Sequence, residues 1–119
     1  MKNLNLTRVV FLLKYIFSDY YILSIFQEPD ANDPDSVRIL IKLPEGQRLE
    51  RRFIKQQSLK YLYYYVFCHP ESPDEFDITT NFPRKVLDCK PKENEPDPPS
   101  FEDAGLGQST MLFVNDLEA

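Results

Sequence analysis

The strongest constraint on the fold is a pair of strand patterns joined by a short turn. Residues 36–43 (SVRILIKL) alternate between two faces, and β-branched side chains occupy one of them. Residues 48–54 (RLERRFI) alternate again, with Leu49, Arg51 and Phe53 on one face. The intervening PEGQ has proline early and glycine late, as β-turns do. The sequence therefore predicts a β-hairpin whose turn is long enough to contain a bulge.

A helix pattern follows the hairpin. Ser58 is a typical N-cap residue, and residues 59–68 (LKYLYYYVFC) place apolar side chains three and four positions apart. The helix should end before Pro70, because the residue preceding a proline avoids the helical region. Its tyrosines are expected to be mostly core, with an exposed member such as Tyr64 free to extend an interface or to pack on residues 9–26.

The remaining chain predicts short elements separated by loops. Strands are expected at residues 76–79 and 85–87, followed by a long proline-containing loop over residues 88–99. Residues 100–105 (SFEDAG) have a serine to cap a helical turn and a glycine to end it. Residues 110–116 form a final, strongly apolar strand that should be central. This order is typical of the β-grasp or ubiquitin-like fold, an α+β mixed sheet with one helix across it.

The chain divides into three parts. Residues 28–35 (EPDANDPD) hold two prolines and four acids, which predicts a linker. It separates an apolar N-terminal segment of unknown role, residues 1–27, from the predicted domain at residues 36–119.

The apolar run at residues 9–26 has the length of a bilayer span, but Lys14 and Asp19 interrupt it. Three interpretations stay open. The run is a helix that packs on something else or a non-native end, a membrane or membrane-surface segment, or a cleaved signal, although it lacks a small-residue cleavage site.

The composition excludes a glycine-rich phosphate-binding loop and a structural zinc site. Three glycines leave no glycine-rich phosphate loop, and one histidine with two cysteines cannot supply four zinc ligands. No cofactor or metal is therefore expected. Residues 36–87 hold nine basic and six acidic side chains, too sparse for a nucleic-acid footprint but suited to an acidic protein surface.

The sequence also offers no pair of side chains that is well placed for nucleophilic or acid–base catalysis. Cys68 and His69 are neighbours in the chain, and neighbours on a helix do not face each other. Asp74, Glu75 and Asp77 follow a turn, where acids are normally solvated. We therefore expect no enzymatic activity.

Three motifs in this order resemble the UBX (ubiquitin regulatory X) domain family. They are the hairpin VRILIKLPEGQRLERRF, the loop TTNFPRKVL, and the ending PPSFEDAGLGQSTMLFVNDL. The resemblance runs from about residue 30 to residue 118 and does not reach residues 1–27.

The resemblance implies a binding site. UBX domains bind the N-terminal domain of the AAA ATPase valosin-containing protein, and their Phe-Pro-Arg loop enters a groove there. That loop corresponds to Phe82, Pro83 and Arg84. A supporting arginine on the first strand corresponds to Lys42, which keeps the charge but lacks the fork that binds a carboxylate with two parallel bonds.

The implied function is that of a cytoplasmic adaptor that brings the ATPase to ubiquitinated clients selected by the rest of a longer protein. By analogy alone, the resemblance also implies action in endoplasmic-reticulum-associated degradation, on the cytosolic face of the endoplasmic reticulum or on lipid droplets. Two alternatives remain: a ubiquitin-like interaction domain with another target, such as a kinase or a GTPase, or a membrane-tethered fragment that works through residues 9–26.

Overall fold

The computed structural model describes residues 27–81 and 83–118. The predictions for residues 9–26 and for Phe82 therefore lie outside the described residues. The described part contains four strands and one helix: β1 Ser36–Lys42, β2 Arg48–Ile54, α1 Lys60–Cys68, β3 Phe76–Thr79 and β4 Ser109–Asp116.

The four strands form one mixed sheet in the order β2-β1-β4-β3. The two central strands, β1 and β4, are parallel, whereas β2 and β3 are antiparallel to their neighbours. The last strand is therefore central, as its apolar sequence predicts. The α+β β-grasp architecture is confirmed.

The β1–β2 turn contains the predicted bulge. The Gly46 amide donates to the Leu43 carbonyl at 3.0 Å, and the Leu43 amide donates to the Gln47 carbonyl at 2.8 Å. Gly46 has φ of +100°, a left-handed conformation in which glycine pays no steric penalty. These two bonds and the left-handed glycine are the pattern of a glycine (G1) bulge, which fixes the register of the hairpin.

The core lies between one face of the sheet and α1. Alternate residues of β1 are buried, including Ile39 and Ile41, and the helix contributes Leu62 and Val66. Each such side chain contributes about 1.5–3 kcal/mol when it is fully buried. Tyr64 is also completely buried, so the expectation that it is exposed and free to extend an interface is wrong, while its alternative of packing on residues 9–26 lies outside the described residues.

The helix begins one residue later than the sequence predicts. Leu59 flanks the assigned helix on its N-terminal side, with helical backbone angles (φ −59°, ψ −14°) and no side-chain capping bond of its own. The Ser58 hydroxyl still accepts a hydrogen bond from the Lys60 amide at 3.1 Å and donates one to the Pro98 carbonyl at 2.8 Å. Ser58 thus joins the start of the helix to a distant segment.

The predicted strand at residues 85–87 is reduced to a single bridge between Thr79 and Val86. The Leu87 amide donates to the Ile78 carbonyl at 2.8 Å, but the Cys89 amide already turns back to the Leu87 carbonyl at 3.1 Å. Pro91 then has no amide to donate. The ladder therefore stops after one pair.

The end of the proline-rich loop docks on the start of the helix. The Leu59 amide donates to the Pro99 carbonyl at 2.8 Å, and the Phe101 amide donates to the Gln57 carbonyl at 3.1 Å. Phe101 is fully buried and stacks on Phe53, with ring centroids 4.9 Å apart. This part of the loop is an ordered edge of the domain.

The predicted helical turn at residues 100–105 is confirmed. The Ser100 hydroxyl accepts from the Asp103 amide at 3.0 Å. At the other end the Gly105 amide donates to the Glu102 carbonyl and the Leu106 amide to the Phe101 carbonyl. With φ of +78° at Gly105, this is a Schellman motif.

Residues 28–35 also contact the sheet. A Glu28 carboxylate oxygen accepts from the Arg52 amide at 2.9 Å. The Lys55 amide donates to the Asp35 carbonyl at 2.8 Å. The predicted linker therefore runs beside β2.

Candidate partner-binding site

The turn after β3 exposes two of the three predicted loop residues. Pro83 and Arg84 are exposed, while Phe82 lies outside the described residues. Thr80 closes the turn: its hydroxyl donates to the Pro83 carbonyl at 2.6 Å and accepts from the Lys85 amide at 3.2 Å. The Thr80 amide also donates to the Lys85 carbonyl at 2.9 Å. These bonds hold the backbone on both sides of Arg84.

Lys42 is the exposed last residue of β1. It lies in register with Phe113 of β4, and Thr79 at the end of β3 lies in register with the same residue. Since neighbouring strands are about 4.8 Å apart, the backbones of Lys42 and Thr79 are separated by roughly 10 Å. Lys42 therefore lies in the same row across the sheet as Thr79, the last residue of β3, after which the loop begins.

These residues occupy the face of the sheet that is remote from the helix. Ile41 points into the core, so Lys42 points the other way, and register partners share a face. Half-buried Leu40, Met111 and Phe113 supply apolar surface on this open face. An apolar surface beside a cation and an exposed turn can bind a protein that presents apolar and acidic groups.

Sequence reasoning missed the residues that hold β3 in place. The Asn115 side-chain amide donates to the Asp77 carboxylate at 2.8 Å and to the Thr79 hydroxyl at 3.1 Å. The signal was present, because threonine and asparagine at ladder positions can bond across strands. Together with Thr80, Asn115 fixes the end of β3 from which the loop departs.

Not all basic residues of the hairpin reach the surface. Arg51 is buried, with its guanidinium carbon 5.2 Å from the Phe53 ring centroid and 5.4 Å from the Tyr65 ring centroid. Desolvation by burial lowers the pKa of Arg51, and the nearby Glu28 carboxylate partly offsets this. Burial likewise raises the pKa of Tyr65. Arg51 therefore stabilises the domain and does not face a partner.

The two thiols differ in their exposure. Cys89 is buried, and desolvation raises the pKa of its thiol to about 12, so the thiol stays protonated at neutral pH. Cys68 is exposed at the end of α1, and the Nδ1 atom of His69 accepts from the Glu71 amide at 3.1 Å.

Within residues 27–81 and 83–118, no group of three or more histidine, cysteine or acidic residues is arranged to hold a metal ion. The same part of the chain has no helix with the length and apolarity needed to cross a membrane.

Comparison with known families gives a direct match. The profile of the UBX domain family matches residues 31–116, most of the chain. The chain belongs to the UBX family. UBX domains are ubiquitin-like interaction domains, which agrees with the open sheet face and the exposed turn described above.

Curated relatives of this UBX domain include FAS-associated factor 2 from Xenopus tropicalis, 50% identical over 90 residues, which are 76% of this chain and 20% of that protein. The Homo sapiens protein of the same name is 49% identical over 90 residues, with the same two shares. Plant UBX domain-containing protein 10 from Arabidopsis thaliana is 33% identical over 93 residues, 77% of this chain and 18% of that protein. The chain thus spans about a fifth of the length of these relatives.

Solved structures agree. The solution structure of a UBX domain from another protein has a TM-score of 0.63 at 26% identity and covers 78% of this chain and 80% of that one. A de novo design based on ubiquitin has a TM-score of 0.51 at 14% identity, covering 73% and 95% of the two chains, which supports the fold alone. The predicted resemblance to the UBX domain family is confirmed.

Proposed function

We propose that this UBX domain is a non-enzymatic adaptor that binds the N-terminal domain of the AAA ATPase valosin-containing protein. In this proposal Phe82, Pro83 and Arg84 enter a groove of the partner, and Lys42 contacts its surface beside the groove. The domain thereby brings the ATPase to ubiquitinated clients.

The observation that carries the proposal is the constrained, exposed turn. Thr80 holds the Pro83 carbonyl and the Lys85 amide, while the side chains of Pro83 and Arg84 remain exposed. A loop that already has its bound shape loses less conformational entropy on docking. Arginine and aromatic side chains are also the usual centres of interface energy.

The position of Lys42 supports a shared surface. It lies on the open face, two strands from the end of β3, with Phe113 between them. A cation and an apolar side chain beside the turn would contact the rim of the groove that the loop enters. Rim charges mainly increase the rate of association and its dependence on salt.

Client selection lies outside this domain in our proposal. The curated relatives are about five times longer than the matched region, and client-binding parts would belong to such additional sequence. Action in endoplasmic-reticulum-associated degradation, on the cytosolic face of that membrane or on lipid droplets, is part of the same proposal. It follows from the similarity to FAS-associated factor 2.

Calorimetric titration of residues 1–119 with the isolated ATPase N-terminal domain tests the proposal. Phe82→Ala combined with Arg84→Ala should weaken binding at least tenfold, because it removes the aromatic side chain and the cation. Lys90→Ala is the matched control: Lys90 is exposed and lies outside the loop. Unchanged affinity of the double variant, in a chain that circular dichroism shows to be folded, would contradict the role of the loop. Absence of binding by the unaltered chain would point to another protein target.

A further inference from the structure

Arg48 lies directly across from Lys42 at the end of the β1–β2 hairpin. The two residues are register partners, and both are exposed. Directly opposed residues of antiparallel strands have their Cβ atoms about 4.5–5.5 Å apart and point to the same face. The open face therefore carries two adjacent cations at this point.

Within the described part of the chain, residues 27–81 and 83–118, no acidic side chain pairs with either Lys42 or Arg48. Like charges directly opposite each other on a sheet are destabilising. The uncompensated pair thus carries a stability cost that the fold itself does not require.

A second like-charged pair in the same hairpin shows the contrast. Arg38 lies opposite Arg52, but the Glu50 carboxylate bonds Arg38, so the chain supplies a counter-charge there. Glu50 is two residues from both Arg48 and Arg52 on the same strand face. Its carboxylate pairs with Arg38 and forms no ion pair with Arg48.

We propose that Arg48 is a further partner-binding residue, whose guanidinium binds a carboxylate on the docked protein beside Lys42. The proposal rests on the function proposed above and extends its site by one strand. A guanidinium presents two parallel donors that match a carboxylate, a geometry that the ammonium of Lys42 cannot provide. Arg48 therefore supplies directional recognition, while Lys42 supplies charge.

The sheet geometry defines where the carboxylate must be. Arg48, Lys42, Phe113 and Thr79 form one row across all four strands, from the outer edge of β2 to the start of the loop. Three strand spacings of about 4.8 Å place Arg48 roughly 14 Å from Thr79. The matching partner presents an acidic side chain about that far from the groove that takes the loop, with apolar surface between them.

Calorimetric titration with the isolated ATPase N-terminal domain at two salt concentrations tests this inference. Arg48→Ala should weaken binding about five- to tenfold and reduce the salt dependence, as loss of a contacting charge does. Arg48→Lys should restore the salt dependence but only part of the affinity. Arg52→Ala is the matched control, since it removes the same charge from the same face of β2 and should change affinity less than twofold.

Thermal unfolding separates this role from a structural one. Arg48→Ala should unfold at the same temperature as the unaltered chain or higher, because it relieves repulsion with Lys42. A lower unfolding temperature, or equal affinities for Arg48→Ala and Arg52→Ala, would overturn the inference. If Arg48→Ala and Arg52→Ala bind equally well but the Phe82 and Arg84 double variant still loses binding, the proposed function stands without Arg48. If neither variant loses binding, both proposals fail.

Discussion

The Nζ atom of Lys60 lies 2.8 Å from a carboxylate oxygen of Asp97, which joins the first turn of the helix to the proline-rich loop. The Lys60 side chain is only 8% exposed, whereas that of Asp97 is 63% exposed. The Pro98 and Pro99 carbonyls bond the residues just before the helix, so three successive loop residues hold this junction. The end of the loop is therefore an integral part of the domain.

Asp97→Ala should destabilise the domain by about 1–2 kcal/mol. It takes a carboxylate from a largely buried ammonium, although the exposure of Asp97 limits the loss. Urea unfolding followed by circular dichroism measures this. Glu93→Ala is the control, because Glu93 is exposed in the same loop and forms no ion pair within the described residues. Equal stabilities of the two variants would show that the ion pair contributes nothing.

Gly105→Ala should cost about 1–2 kcal/mol, because φ of +78° is unfavourable for a residue with a Cβ atom. A Cβ atom there would meet nothing within 4 Å, so the cost comes from the backbone alone. Gly107→Ala also places its methyl group in open space, and Gly107 has no left-handed φ. That variant should be neutral or slightly more stable in the same urea titration. Unchanged stability of the Gly105→Ala variant would show that the left-handed glycine of the Schellman motif does not contribute to the free energy of unfolding.

Thr80→Val should weaken binding to the ATPase N-terminal domain about three- to tenfold while leaving the rest of the fold intact. The hydroxyl bonds to Pro83 and Lys85 hold the loop, and valine has the same shape without them. Thr80→Ser keeps the hydroxyl and should recover most of the affinity. Amide hydrogen exchange of Lys85 should rise in the valine variant alone. Unchanged exchange would show that other contacts order the turn.

Cys89 should make the domain sensitive to alkaline pH. Burial raises the pKa of its thiol from an ordinary value near 9.0 to about 12. The folded state thus favours the protonated form, and the associated stability is complete below pH 9. It is lost between pH 9 and 12, where the unfolded chain ionises first. The stability difference between the unaltered chain and Cys89→Ala, measured by urea unfolding, should therefore shrink from pH 7.5 to pH 10.5.

The fold could be predicted because local patterns and topology agree. Alternating β-branched residues in β1, a turn with a left-handed Gly46 and an apolar last strand each favour the observed arrangement. The capping of the helical turn by Ser100 and its end at Gly105 could also be predicted, because capping depends on residues only a few positions apart.

The errors arose where distant segments meet. Ser58 looked like a simple cap, but its hydroxyl also bonds to Pro98, forty positions away in the chain. The strand at residues 85–87 was too long, since the length of a ladder depends on the partner strand and on where the chain turns away. Tyr64 looked exposed because a nine-residue helix with aromatic residues on every side has no clear solvent face.

The residues of the candidate site could be predicted from the sequence, but the surface that they form together could not. The loop motif and Lys42 came from family resemblance, whereas their common level on the sheet depends on the registers of β1 and β3 with β4. The position of Arg48 opposite Lys42 likewise depends on the bulge that sets the hairpin register.

The parallel pairing of β1 with β4 also has a consequence for biosynthesis. β1 is the first strand of the described domain and β4 is the last, yet they are neighbours at the centre of the sheet. A nascent chain that has left the ribosome only as far as the proline-rich loop has β1 with one side unpaired and β3 with no partner strand in the sheet. Such a chain exposes strand edges and apolar surface, so the domain should be prone to aggregation until β4 has left the ribosome.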